Sequence, residues 1–433
     1  MITKDRTVQI IALLLIIGAS FSFSAFKMVE AGRSTDGGQT QILETTAFGE
    51  QLVAELRPQF QGSFEYTVNN TALFTLSTTS NATITQDSGM AVLQTSTNSN
   101  EVANFKSKQH AKYKPGMGGV IRFTSLFTSP IASTTQLIGI MDATSTTASF
   151  KNGYAVGYVG TGFGFHVWAN SGTTTIAQAD WDDPMDGTGD SGMKLDHTKL
   201  NIFYIQYQYL GAGAINLFVE SDRTGNPVLA HRINYANKNV TPSVHNPNFH
   251  FTMEVDNGIT TSNMIIKSSS YAYFIEGITS FIELHQPQFS SDVLSTTTVT
   301  TEVPIFTLRN KSTYVGKENF IDIILEHYGG SIEANSANNL GDIRLIKNAT
   351  LDGNESYSDI NSRNSIMEVD TTASTVTGGT TIINIPLAGK NDKIVENVLN
   401  LKIILNPGET ITCAGTSANS ATMNCQMLWQ ELF

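Results

Sequence analysis

The sequence predicts an all-β protein of two antiparallel β-sandwiches, the second smaller and of jelly-roll type, behind an N-terminal transmembrane or signal-anchor helix. Three observations predict it. Charged residues make up only 15% of the 433-residue chain, against roughly 25% in soluble globular domains; Ser, Thr, Asn and Gly fill the difference. Long stretches alternate apolar with small or polar residues at the period of two that a half-buried strand requires. That alternation lapses over residues 286–302 and then resumes, which separates two domains.

Taken in order, Lys4, Asp5 and Arg6 precede an uncharged run at residues 8–26, VQIIALLLIIGASFSFSAF, closed by Lys27. Its length approaches the roughly 20 residues that span a bilayer. A secretory signal begins the same way. The long apolar run without a clear small-x-small cleavage site favours an anchor over residues 1–30, with the rest of the chain facing away from the cytoplasm. In residues 31–60, Leu43, Phe48, Leu52, Val53 and Leu56 recur at roughly helical spacing before Pro58, which predicts a helical stalk or linker.

Residues 152–172, NGYAVGYVGTGFGFHVWANSG, predict a hairpin. Tyr154, Val156 and Tyr158 share one face, Gly160-Thr-Gly turns, and Phe163, Phe165 and Val167 return. Residues 200–221 repeat the device, with Phe203, Ile205, Tyr207 and Tyr209 outbound and Ile215, Leu217 and Val219 inbound. Such one-sided strands need a second sheet to cover them, so residues 61–285 form one sandwich. Residues 286–302, QPQFSSDVLSTTTVTTE, are Ser/Thr-rich and predict a linker. Runs at 320–328, 342–348, 381–389, 401–415 and 426–433, with an Asn406-Pro-Gly408 turn, supply the second sandwich over 303–433.

The net charge of −12 and pI near 5.1 exclude nucleic acid as the main partner, because phosphate binding needs basic surface. The exception to that balance is residues 105–119, FKSKQHAKYKPGMGG. It lacks the Gly-Lys-Ser/Thr ending of a phosphate loop and leads into a strand, not a helix. It reads as a lysine-protected edge strand followed by a turn, with contact to an acidic neighbour as the sharper alternative. Cys413 and Cys425 are too few for a zinc site; a disulfide and two buried thiols both remain open.

The blocks KSKQHAKYKPGMGGVIRFTSLFT, GYVGTGFGF, MDGTGDSGMKLDHTKLNIFYIQYQYLGAGAI and INYANKN resemble a group of virion structural proteins. The group is encoded by large double-stranded DNA viruses of algae and protists and by some large phages. PIFTLRNKSTYVGKENF, IRLIKNATL and LWQELF extend the resemblance over roughly residues 100–433. It implies a concanavalin A-like central sandwich and a fibre-like or capsid-associated role among other virion proteins. It brings no catalytic residues, and the N-terminal segment lies outside it.

Candidate site residues follow from chemistry. Asp180, Asp182, Asp183, Asp186 and Asp190 crowd one loop, the residue type calcium needs, though the spacing misses a ligand of the helix-loop-helix pattern; a hydrated, self-capped turn is the alternative. In MEVDNG, residues 253–258, Glu254 and Asp256 stand where some glycosidases carry Glu-x-Asp-x-x-Glu. The final carboxylate is missing, and retaining chemistry needs the pair, so no catalytic residue is assigned. Trp168 and Trp181 are the candidates for stacking on sugar, provided their faces are exposed. Asn-x-Ser/Thr sequons stand at Asn69, Asn81, Asn239, Asn310, Asn348 and Asn354 and matter only on a eukaryotic secretory route.

The expected function is therefore non-enzymatic: a membrane-associated component of the particle surface, a minor capsid, spike or fibre protein. It is expected to be homo-oligomeric and held to the membrane through residues 8–26. It needs no cofactor, with calcium as an option, and host glycans are an expected partner. A carbohydrate-active enzyme or a cell-surface adhesin on the same scaffold is the competing expectation.

Overall fold

The computed structural model describes residues 33–36, 39–42, 56–142, 150–276, 286–297, 300–334 and 339–433. The chain divides near residue 56 into two units. In the first, Arg33–Asp36 pairs antiparallel with Gln39–Ile42. The anchor residues 8–26 and most of the expected stalk lie outside the described residues. Where that stalk is described it is strand: this hairpin, and Leu56–Ser63, which joins a sheet. Among the described residues no helix is long and apolar enough to cross a membrane.

The second unit contains both sandwiches. One sheet of the first runs Gly172–Ala177, Gly162–Ala169, Gly153–Val159, Thr135–Met141, Phe249–Asp256, Val102–Ala111, Phe74–Thr78. The facing sheet runs Pro227–Ile233, Ile215–Glu220, Asn201–Tyr207, Gly119–Phe127, Ile265–Ser268, Met90–Gln94, Thr83–Asp87. Ser270–Glu276 also pairs with Gly119–Phe127, and Leu56–Ser63 pairs with Ser270–Glu276. The two predicted hairpins form as expected: Tyr154 faces Val167 and Tyr158 faces Phe163, while Phe203 faces Val219 and Tyr207 faces Ile215. Their alternating aromatic and branched side chains all enter one core, where burial of each stabilises by roughly 1.5–3 kcal/mol.

Residues 286–302 are not a linker. Gln288–Ser290 and Leu294–Thr297 pair with Thr422–Leu432 and form an edge of the second sandwich. Phe289 and Leu294 pack against its core. Asp322–Glu333 pairs on the other side of Thr422–Leu432, and Ile404–Leu405 and Lys393–Asn397 pair with Asp322–Glu333. The opposing sheet runs Ser358–Asp359, Met367–Asp370, Val303–Asn310, Thr410–Ser417, Leu340–Lys347, Thr380–Ala388. Cys413 and Cys425 form a disulfide. Because Thr410–Ser417 and Thr422–Leu432 lie in opposite sheets, the bond ties the two layers together through the core.

The lysine-rich stretch is not an edge strand either. Val102–Ala111 pairs on both sides, with Phe249–Asp256 and with Phe74–Thr78. Its basic residues meet the second sandwich: Lys106 Nζ lies 2.9 Å from Glu318 Oε1, and Lys112 Nζ lies 2.8 Å from Asp322 Oδ2. The acidic neighbour is in the same chain.

Candidate binding groove

Neither tryptophan offers a face to solvent. Trp168 is 6% and Trp181 4% exposed, which corrects the stacking expectation. Trp168 sits in a satellite cluster with Leu137, Met141, Phe150 and Ala155, on the face of the seven-stranded sheet turned away from the main core. Trp181 packs against Phe163 in the main core and donates from Nε1 to the Ile176 carbonyl at 3.2 Å. A bulky apolar ring with one satisfied donor is worth more to the core than to the surface.

The aspartate loop is built around backbone amides. Asp183 is buried; its Oδ1 accepts from Met185 N at 3.0 Å and its Oδ2 from Ser191 N at 2.8 Å. Gly189 is required there, since a Cβ would stand 2.1 Å from Asp183 Oδ1. Asp186 accepts from the Thr188 amide and hydroxyl, and the hydroxyl bond chiefly holds its carboxyl below the usual range. Asp182 accepts from Arg232 N at 2.8 Å. Asp180 and Asp190 are exposed. No group of three or more metal-ligating side chains converges among the described residues.

Glu254 and Asp256 lie on one interior strand, and Glu254 is fully buried. Asn104 Nδ2 donates to its Oε2 at 2.8 Å, while Oε1 has no partner. Burial, reinforced by the charge of Asp256, pushes the carboxyl up to about 7. The folded state therefore holds this proton up to about pH 7, whereas the unfolded chain releases it near pH 4.5. Stability falls as pH rises across that window. Glu254→Gln is expected to flatten the fall and to raise stability at pH 8 by about 2–3 kcal/mol; denaturant titrations at pH 5 and pH 8 measure it, and an unchanged pH dependence contradicts it.

Of the sequons, Asn69, Asn81, Asn239 and Asn354 are exposed. Asn348 is exposed but its amide binds Glu409 and Thr410. Asn310 is fully buried: Nδ2 donates to the Ile321 and Leu405 carbonyls, and Oδ1 accepts from Asn319 Nδ2. It cannot carry a glycan in the folded protein.

One groove that opens to solvent was not singled out by sequence. It encloses about 660 Å³ where Leu56–Ser63 and the segment after it meet Gly119–Phe127 and Ser270–Glu276, with Phe74 of the opposite sheet in its lining. Phe74, Phe123 and Tyr271 make an apolar floor, and all three are buried. Tyr271 lies flat on Phe251, centroids 3.9 Å apart and planes 13° apart. Gly62 makes room for it, since a Cβ would stand 2.5 Å from the Tyr271 ring. Tyr66, 90% exposed, and Leu73, 44% exposed, stand among the lining residues. They belong to the segment after Leu56–Ser63, where Asn70 caps a turn by accepting from Ala72 N at 3.0 Å.

The polar complement is mixed. Arg122 projects from the sheet with its guanidinium 5.2 Å from the Tyr204 ring and 4.9 Å from the Phe274 ring, contacts that hold its plane while leaving the donors to solvent. Glu65 is exposed, and the Ser63 hydroxyl holds its carboxyl below the usual range. Gln61, Asn70, Thr124 and Ser270 add further polar groups to the lining. The sequence signal was a tyrosine set among polar residues, SFEYTVNN, between two strands; a lone tyrosine does not announce its exposure.

No family model matches this sequence, and no curated protein matches it. Solved structures do. Arcelin-5, a lectin-like defence protein from Phaseolus vulgaris, is 9% identical at a TM-score of 0.35, covering 51% of this chain and 99% of its own. A glycosyl hydrolase family protein from Mycobacterium fortuitum is 11% identical at 0.34, covering 50% and 99%. Peanut lectin with a 9mer peptide is 11% identical at 0.34, covering 51% and 99%. A likeness this distant carries no conclusion about what the chain binds; the β-sandwich architecture rests on the strand order itself.

Proposed function

We propose that the protein is a displayed, non-enzymatic binding protein that recognises glycan through the groove of Tyr66 and Arg122. The observation that carries the reading is that groove's chemistry. An exposed aromatic face, an apolar floor, and a carboxylate, a guanidinium and amides suit a ligand with alternating apolar and hydroxyl-bearing faces. Glu254 supports a non-catalytic role, because a lone sealed carboxyl lacks both the access and the partner that glycoside cleavage needs.

The wider role proposed is that of a structural component of a virus particle, following the resemblance over residues 100–433. Within it, the first sandwich is read as concanavalin A-like and the second as jelly-roll type, with residues 8–26 as the membrane anchor. Assembly with other virion proteins and with further copies of this chain belongs to the same proposal. The inter-sheet disulfide supports display outside a reducing compartment. Incubating the full chain with an array of glycans tests the reading: retention of one glycan class without cleavage products supports it. No retention, or release of shortened oligosaccharide, favours an adhesin for protein ligands or a carbohydrate-active enzyme instead.

A further inference from the structure

The joint between the sandwiches joins two strands of the first to one segment of the second. Phe320 forms a triangle with two buried histidines, with ring centroids 5.3 Å from His110 and 5.2 Å from His250, and the two histidine rings touch each other with centroids 5.5 Å apart. His110 Nε2 lies 2.6 Å from the Phe320 carbonyl. A carbonyl only accepts, so Nε2 carries the proton and Nδ1 is a bare lone pair. The Nδ1 atoms of both His110 and His250 are buried and without a hydrogen-bond partner.

The segment is held rigidly for this contact. Asn319, buried beneath it, donates to Asn310 Oδ1 at 2.8 Å and to the Lys311 carbonyl at 2.7 Å, and its own oxygen accepts from Ile321 N at 2.9 Å. Flanking ion pairs, Lys106 with Glu318 and Lys112 with Asp322, close the joint on either side. His250 Nε2 stands 3.9 Å from Glu318.

We infer that this joint is an acid-released latch: protonation of His110 and His250 frees the second sandwich from the first. A proton arriving on either Nδ1 enters a buried space beside the other ring, where the loss of solvation outweighs the nearby backbone carbonyls of Ser107, Lys108 and Gln109. The charges facing the pair are Lys106 on the strand of His110, Lys112 just past its end, and Glu318 and Asp322 on the docked segment, with Asp142, at the end of the next strand but one, acting on Glu318. The two lysines oppose a further positive charge. Asp322 favours it at His110, but burial outweighs that attraction and both histidines are held below their ordinary value of 6.5.

The sign follows. The undocked protein binds protons that the docked one refuses, so docking is at full strength above about pH 6.5 and weakens as pH falls below it. Each histidine contributes up to about tenfold per pH unit, so the docked-to-undocked ratio falls by up to about a hundredfold between pH 7.5 and pH 5.5.

Small-angle scattering of the full chain across that range is the test. The radius of gyration is expected to grow on acidification and to return on neutralisation, and His110→Gln with His250→Gln, which keeps a donor for the Phe320 carbonyl, is expected to stay compact throughout. The single variants His110→Gln and His250→Gln serve if the double variant does not fold: each removes one of the two protons taken up on release, so each is expected to make the expansion about half as steep in pH. A wild-type radius that does not change between pH 7.5 and pH 5.5 overturns the latch. So does an expansion that the double variant shares, or one whose pH steepness neither single variant reduces.

Discussion

Phe251→Ala is expected to destabilise the first sandwich by about 3–5 kcal/mol and to abolish ligand binding in the groove. Phe251 is fully buried, parallel to Tyr271 at 3.9 Å, with Phe105 at 6.2 Å and Phe123 at 6.1 Å. Removing the ring leaves a void that its neighbours fill only in part. Tyr271 and Phe123 are also the groove floor, so the void lies directly under the ligand. The two sandwiches have separate hydrophobic cores. Hydrogen exchange should therefore quicken across residues 57–276 and stay unchanged over 303–433. A loss below about 1 kcal/mol would contradict this packing. Phe251→Leu separates the two effects: it is expected to keep the fold at a cost of about 1.5 kcal/mol while still weakening binding.

Replacing Cys413 and Cys425 together by alanine is expected to cost the second sandwich about 3 kcal/mol, the chain-entropy value for a short loop. The two residues are separated by 12 positions, so they are close in sequence. The chain between them passes from one sheet to the other, and the bond fixes that crossing within the core. Cys413 and Cys425 are 0% and 1% exposed, so a reductant reaches the bond only when the domain opens. Thermal melts with and without reductant measure the effect. A second-sandwich transition that neither reduction nor substitution lowers would contradict it.

Much of this fold is legible because its strands carry their own pattern. Tyr154 to Val167 and Phe203 to Val219 alternate over short hairpins, so periodicity and turn chemistry suffice. Residues 286–302 were illegible for the opposite reason. Leu294 pairs with Cys425 and Gln288 with Gln430, partners far along the chain, and an edge strand of Ser and Thr has no alternating signature. Lys106 and Lys112 are paired in space with Glu318 and Asp322, which no local window contains. Tryptophan was the wrong aromatic to follow: size favours burial, and Trp168 and Trp181 obey it. Tyr66 is an exposed ring, two residues after Phe64, which is buried in the core, and just before the turn at Asn70. Asn310 shows that a sequon can be a structural clamp, since its amide is shared among Ile321, Leu405 and Asn319.

The central claim is that the Tyr66 groove binds glycan. Its most direct measurement is calorimetric titration of the full chain and of Tyr66→Ala with the glycan class an array identifies. The account predicts that wild type binds and that the variant, whose altered ring is 90% exposed, melts at the same temperature yet binds at least about tenfold more weakly. Equal affinity of variant and wild type would contradict it.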